Sequence, residues 1–168
     1  MIKQEIKSIQ FATLDELPLI SNRQGFFTMV DHSLKVCRRN QISMSFIFFD
    51  LNKFKSINDE YGHHEGDFVL ITFAQIMLSS FRDCDLIGRL GGDEFITMLS
   101  DADKGKAVLA LERFTIAIDK ANDTLKKPYK IEYSASIRDF QHGTDRTIEE
   151  MIQDADAAMY QQKKNKVR

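Results

Sequence analysis

Met44-Ser45-Phe46-Ile47-Phe48-Phe49-Asp50 is a mainly apolar run that stops at a carboxylate. It is too short for a stable helix, and its aromatic content favours a central strand buried on both faces. Upstream, Phe26, Phe27, Val30, Leu34 and Cys37 recur at steps of one, three and four and predict a helix over 23–39. Downstream, Leu70, Phe73, Met77 and Phe81 mark an amphipathic helix after a polar stretch. Two short apolar segments, 86–90 and 94–99, flank Gly91-Gly92-Asp93, a tight turn between strands. Ala107, Leu111, Phe114, Ile118 and Ala121 define another helix, and 129–137 alternate as a strand does. Thr147 with Glu150 forms a capping pair that opens a last helix carrying Ile148, Ile152, Ala155 and Met159. Helices alternate with strands and a hairpin is inserted, so the expected class is α/β (α+β), a mixed central sheet flanked by helices.

The chain has 168 residues, which at about 100–200 residues per domain predicts one domain. We place a short extension or linker helix at 1–13 and the domain at 14–168. The 23 basic and 25 acidic residues leave a net charge of −2, against a diffuse basic field for nucleic acid. With 43% hydrophobic and 29% charged residues, the composition is that of a globular protein and excludes a disordered chain. Cys37 and Cys84 have neither metal-ligand spacing nor a disulfide framework, which fits a reducing compartment. No apolar run approaches the ~20 residues of a bilayer span, and MIKQEIKSIQ lacks the apolar core of a signal peptide. The expectation is a cytoplasmic protein without membrane insertion.

Three clusters carry candidate chemistry. Asp50 stands at the carboxyl end of the buried strand, where open α/β sheets bind ligands. Alone, it reads first as a strand-ending turn residue. Gly91-Gly92-Asp93-Glu94 sets two carboxylates on a glycine turn, suited to a hard cation or to a hairpin chosen for its geometry alone. Mg²⁺ takes few carboxylates and completes its octahedron with water and phosphate oxygens. The third cluster, Lys53, Phe54, Lys55, Asn58, Asp59, His63 and Asp67, lies between the strand and the next helix. Asn and Asp there can read a purine edge, and an Asp facing N1 and N2 selects guanine. Singly, Asp67 is as readily a first-turn helix charge and His63 an ordinary hydrogen-bonded histidine.

Jointly, these residues form a long ordered set. It runs through Phe49-Asp50-Leu51-Asn52-Lys53-Phe54-Lys55-Ser56-Ile57-Asn58-Asp59, Tyr61-Gly62-His63, Gly66-Asp67 and Arg89-Leu90-Gly91-Gly92-Asp93-Glu94-Phe95. With Asn22-Arg23 early and Asp154 to Tyr160 late, the set resembles the GGDEF family, the diguanylate cyclases, from Asp15 to Lys163.

The resemblance implies a nucleotidyl cyclase or polymerase-palm fold that condenses two GTP into cyclic di-GMP with release of two pyrophosphates. It implies Asp50, Asp93 and the Leu51 carbonyl as ligands of Mg²⁺ or Mn²⁺. Asp93 would assist deprotonation of the 3′-hydroxyl, directly or through the metal, with Glu94 supporting the site. Asn58 and Asp67 match guanine-recognising positions, with His63 beside them. Lys55 and Lys163 match phosphate-contacting lysines, with amides near Phe54, and Gly91 and Gly92 leave room for the nucleotide. One copy of the constellation binds one GTP, so catalysis requires a homodimer about a two-fold axis. Arg82-Asp83-Cys84-Asp85 resembles the family's inhibitory RxxD site, where Arg82 and Asp85 would bind product.

The chain departs from the family pattern at Pro18 and Leu19, at Arg138 where glycine is usual, and at Val167 where arginine is usual. Arg168 and Lys166 stand nearby to substitute for that arginine. The rival expectation is a GGDEF module that binds GTP or cyclic di-GMP without turnover. A cyclase with an adenine or mixed product is a weaker one, because Asp67 is the guanine-type residue. The absence of G-x-x-x-x-G-K-[ST] argues against a P-loop NTPase.

Overall fold

In the computed structural model the described residues are 20–140 and 146–166, the side chains of 159, 162, 163, 165 and 166 excepted. Helix α1 (Arg23–Asn40) leads to β1 (Met44–Leu51), α2 (Phe54–Tyr61) and α3 (His63–Ser80). The hairpin β2 (Leu86–Gly91) and β3 (Glu94–Ser100) follows, then α4 (Lys104–Leu125), β4 (Tyr133–Phe140) and α5 (Ile148–Lys166). The sheet order is β2-β3-β1-β4, so β1 lies inside it, as its apolar composition predicts.

All three named pairings are antiparallel. Because β1 and β2 both oppose β3, they run in the same direction, and β3 is wedged between them. The parallel pairing implied by a mixed sheet is present only as one bridge, Ser21 to Gly88, at the β2 edge among the described residues. This is a split β-α-β arrangement, two helical crossovers interleaved in one sheet. Expected and observed class agree: among the described residues, a four-stranded sheet flanked by five helices.

Alternation along β1 makes two cores. Ile47, Phe49 and Leu51 face α3 and α4, where Phe49 meets Phe114 at 5.1 Å and Phe73 at 5.9 Å between ring centroids. Met44, Phe46 and Phe48 face the other way, against Phe26, Val30 and Leu34 of α1 and Ile152 and Ala155 of α5. By the same alternation Asp50 and Glu94 fall on the α1/α5 face, at the edge of that core.

Caps set several boundaries. The Asn22 side chain accepts from the Gly25 amide at 2.9 Å, and Asp103 does the same for Lys106. Thr147 and Glu150 exchange the two bonds of a capping box. No helix among the described residues is long and apolar enough to cross a membrane.

Candidate functional site

The signature hairpin owes its shape to two glycines. Gly91 and Gly92 have φ of 154° and 48°, and a Cβ at either would meet nothing within 4 Å. The need is conformational, and the space before the turn stays open. The register slips between Arg89 and Gly91, so that Gly91 pairs with Glu94. Arg89 braces the bend: its Nε and Nη2 donate to the Gly92 carbonyl at 2.9 and 2.7 Å. Arg89 stands in the sequence motif, but nothing in its spacing assigns it this role.

β1 and the hairpin bring the acidic residues to one end of the sheet. Asp50 lies opposite Glu94 on β3 and opposite Ser134 on β4. The Leu51 amide donates to the Asp93 carbonyl at 3.0 Å, fastening the turn to the strand tip. Burial first, then Asp156, Asp50 and Asp93, push the Glu94 carboxyl above its usual range, with Arg23 opposing. The Asp156 carboxyl is also raised, by burial and by Asp50, again with Arg23 opposing. Asp156 and Arg23 therefore belong to this charged patch. Both stand inside the longer stretches that carry the family resemblance, yet sequence reading assigns neither a role; the signal available is an acid on one helix and a base on another.

Mutual repulsion of this kind is the electrostatic setting that a divalent cation relieves. The donors at the strand tip and turn are hard oxygens, those of Asp50, Asp93 and the Leu51 carbonyl, which suit Mg²⁺ or Mn²⁺. No cluster of three or more His, Cys, Asp or Glu able to hold a metal occurs among the described residues. A cation here would thus depend on phosphate and water for the rest of its shell, as Mg²⁺ commonly does.

The polar stretch after β1 is a short helix, α2, that the apolar pattern does not reveal. Lys53 at its N-cap has φ of 57° and gives no capping side chain, so first-turn amides are offered to an anion. Phe54 packs half-buried against the core, while Lys55 is exposed. Gly62, φ 91°, is at once the end of α2 and the cap of α3. A Cβ on Gly66 would lie 1.8 Å from Asn58 Oδ1, so the missing side chain makes room for the Asn58 amide. Asn58 is thereby set against the residue preceding Asp67. Asp67 and His63 are both exposed on the first turns of α3.

The RxxD residues form a closed unit at the start of β2. Asp85 accepts from the Arg82 amide at 2.9 Å, from Arg82 Nε and Nη2 at 3.3 and 3.0 Å, and from the Ser100 amide at 3.2 Å. Its side chain is 2% exposed, whereas that of Arg82 is half exposed. A cavity of about 180 Å³ beside them is also lined by Lys106 and Arg113 of α4, two cations that sequence reading does not single out.

Arg138 ties β4 to α5: Nη1 donates to the Ile137 carbonyl at 2.8 Å and Nη2 to the Asp154 carbonyl at 3.4 Å. Asp15, Pro18, Leu19, Val167, Arg168 and the side chains of Lys163 and Lys166 lie outside the described residues.

Residues 12–168 match the family model "Diguanylate cyclase, GGDEF domain". The chain is 32% identical over 155 residues to MucR of Pseudomonas aeruginosa, a bifunctional diguanylate cyclase/cyclic di-GMP phosphodiesterase. That match covers 92% of this chain and 22% of MucR. Diguanylate cyclase DosC of Escherichia coli K12 is 31% identical over 147 residues, covering 88% of this chain and 32% of DosC. The chain thus spans between a fifth and a third of these relatives. Among solved structures, diguanylate cyclase SiaD from Pseudomonas aeruginosa, in complex with its activator SiaC, superposes with a TM-score of 0.82. It is 26% identical, and the match covers 98% of this chain and 64% of SiaD.

Proposed function

Because this chain belongs to the GGDEF, diguanylate cyclase, family, we propose that it condenses two GTP into cyclic di-GMP in the cytoplasm. The observation that carries the reading is the meeting of Asp50, Asp93 and Glu94 at one sheet end, with α2 starting three residues beyond β1 and Asn58 set against Gly66 at the α2–α3 junction. Asn58 and Asp67 read the guanine edge, Asp67 accepting from N1 and N2. Lys55 and the first-turn amides of α2 meet the phosphates, and Lys163 of α5 is assigned to them as well. Asp50, Asp93 and the Leu51 carbonyl would hold Mg²⁺ or Mn²⁺, which when bound polarises the α-phosphate.

The bond that forms joins the 3′-oxygen of one GTP to the α-phosphorus of the other. The bond that breaks frees pyrophosphate, and the hydroxyl proton leaves toward the Asp93 side. Two such exchanges close the ring. One copy of the constellation holds one nucleotide, so two protomers must face each other about a two-fold axis. Proximity then turns a rare encounter into an effectively intramolecular one. Arg82 with the Lys106 and Arg113 cations is the proposed product site, and product would have to open the Arg82–Asp85 pair to use Asp85.

Incubating the purified protein with GTP and Mg²⁺ and resolving the nucleotides by chromatography tests this reading. Cyclic di-GMP with two equivalents of pyrophosphate is expected. GTP binding without product, even at high protein concentration or with the protomers fused, would make the chain a binding module.

A further inference from the structure

The turn between α4 and β4 reaches over to the α2–α3 junction. Lys127 Nζ donates to both carboxylate oxygens of Glu65 at 3.0 Å, and the Tyr129 hydroxyl donates a short bond to the same carboxylate. The Lys127 ammonium also lies 4.3 Å from the centroid of the Phe68 ring. The Tyr129 ring sits 5.2 Å from that of Tyr61. Tyr61 closes α2, while Glu65 and Phe68 share a face of α3 at helical spacing.

Two side chains of one turn therefore grip two helices across Gly62, the single residue between them. That residue has φ of 91°, a conformation glycine adopts at no steric cost, and no side chain to cap either helix. Asn58 lies before it and Asp67 after it, so a change in the angle between the helices changes the relative placement of the proposed guanine-reading pair. The Glu65 and Lys127 side chains are about two-thirds buried, 31% and 29% exposed, and less screened than a surface ion pair. The Tyr129 bond first, then Lys127, holds the Glu65 carboxyl below its usual range, and burial with Glu65 holds the Tyr129 phenol above its own. At neutral pH both partners therefore keep the forms the bond requires.

The geometry points to Glu65, Lys127 and Tyr129 as a clamp that fixes the α2–α3 angle and so positions Asn58 and Asp67 for guanine. These are positioning residues, and the inference rests on the functional reading above.

Steady-state kinetics with GTP and ITP on wild type, Tyr129→Phe, Glu65→Gln and Lys127→Arg test it, with circular-dichroism melts as the fold control. ITP lacks the exocyclic amine that Asp67 would read. Tyr129→Phe keeps the ring contact with Tyr61 and loses one charge-assisted bond. It should raise the GTP KM about fivefold with kcat within about twofold, and shrink the GTP-over-ITP preference by a similar factor. Lys127→Arg should retain wild-type values, because a guanidinium also reaches both oxygens. A folded Tyr129→Phe with unchanged KM and unchanged GTP-over-ITP preference overturns the clamp. So does a loss confined to kcat. If that variant melts too low to assay, Glu65→Gln carries the same measurement: a raised KM supports the clamp, and an unchanged KM and preference overturn it. Wild type that binds GTP but makes no cyclic di-GMP sinks the enzyme reading instead, and GTP and ITP Kd values for these variants then decide the clamp.

Discussion

Glu94 is the residue at which the crowding of acids is most readily measured. Its carboxyl is raised by burial and by Asp156, Asp50 and Asp93, so the fold favours the neutral form. A raised acid stabilises fully below its unfolded value of about 4.3, and that stabilisation is lost as pH rises through the folded value. Without divalent cation, Glu94→Gln should therefore melt above wild type at pH 7.5, by about 1–2 °C after allowance for solvent screening. The gap should close near pH 4. Equal melting temperatures at both pH values would mean that the carboxylates do not strain one another. The acids of the turn and strand are visible in the sequence because they are adjacent to glycines and to an apolar run. Asp156 and Arg23 are not, because their partners come from other elements and local spacing carries no trace of them.

At the scale of elements, the α2–α3 junction and the start of β2 make separate predictions. Gly66→Ala places a methyl group on the Asn58 amide, 1.8 Å from Oδ1 before any relaxation. The GTP KM should rise about tenfold, roughly the cost of one displaced hydrogen bond to the base. An unchanged KM would remove Asn58 from the recognition site. Arg82→Ala strips both guanidinium bonds from the buried Asp85 and leaves it the two backbone amides and the Cys84 thiol. It should cost about 2 kcal/mol and lower the melting temperature by about 5 °C while relieving any product inhibition. A melting temperature that does not move would show that the pair is not a latch.

These same elements show where sequence patterns stop. α2 escapes the apolar pattern because it is short, mostly polar and uncapped by a side chain, burying only Ile57. The apolar periodicity of α3 leaves its start unmarked because the first five residues, His63 to Asp67, carry no apolar side chain, yet the helix begins at His63. Alternation puts β4 at 129–137, but it runs Tyr133–Phe140. Tyr129 is engaged by Glu65 and Tyr61 before the strand starts, and Phe140 is buried beyond polar Arg138 and Asp139.

At the scale of the whole molecule, the sheet explains both what is legible in the sequence and what is not. Alternation in β1 tells which residues face each core, and the glycine turn tells where the hairpin bends. The order β2-β3-β1-β4 depends on long-range pairing, so a mixed sheet is as far as periodicity can reach. That order puts the tip of β1 beside the hairpin, and under the proposed function this sheet end is one half-site per chain. Turnover per protomer should therefore rise with protein concentration until dimers saturate. Constant turnover across dilution of a protein shown to be monomeric by light scattering would contradict the two-fold reading.

Cation binding to the nucleotide complex tests the core of the account most directly. Calorimetric titration of Mn²⁺ into wild type and Asp93→Asn, each saturated with a non-reacting GTP analogue, measures it. Wild type should take up the cation, and Asp93→Asn should bind it at least about tenfold more weakly with its melting temperature preserved. Equal Mn²⁺ affinity in the two proteins would show that the turn carboxylate does not hold the metal on the triphosphate.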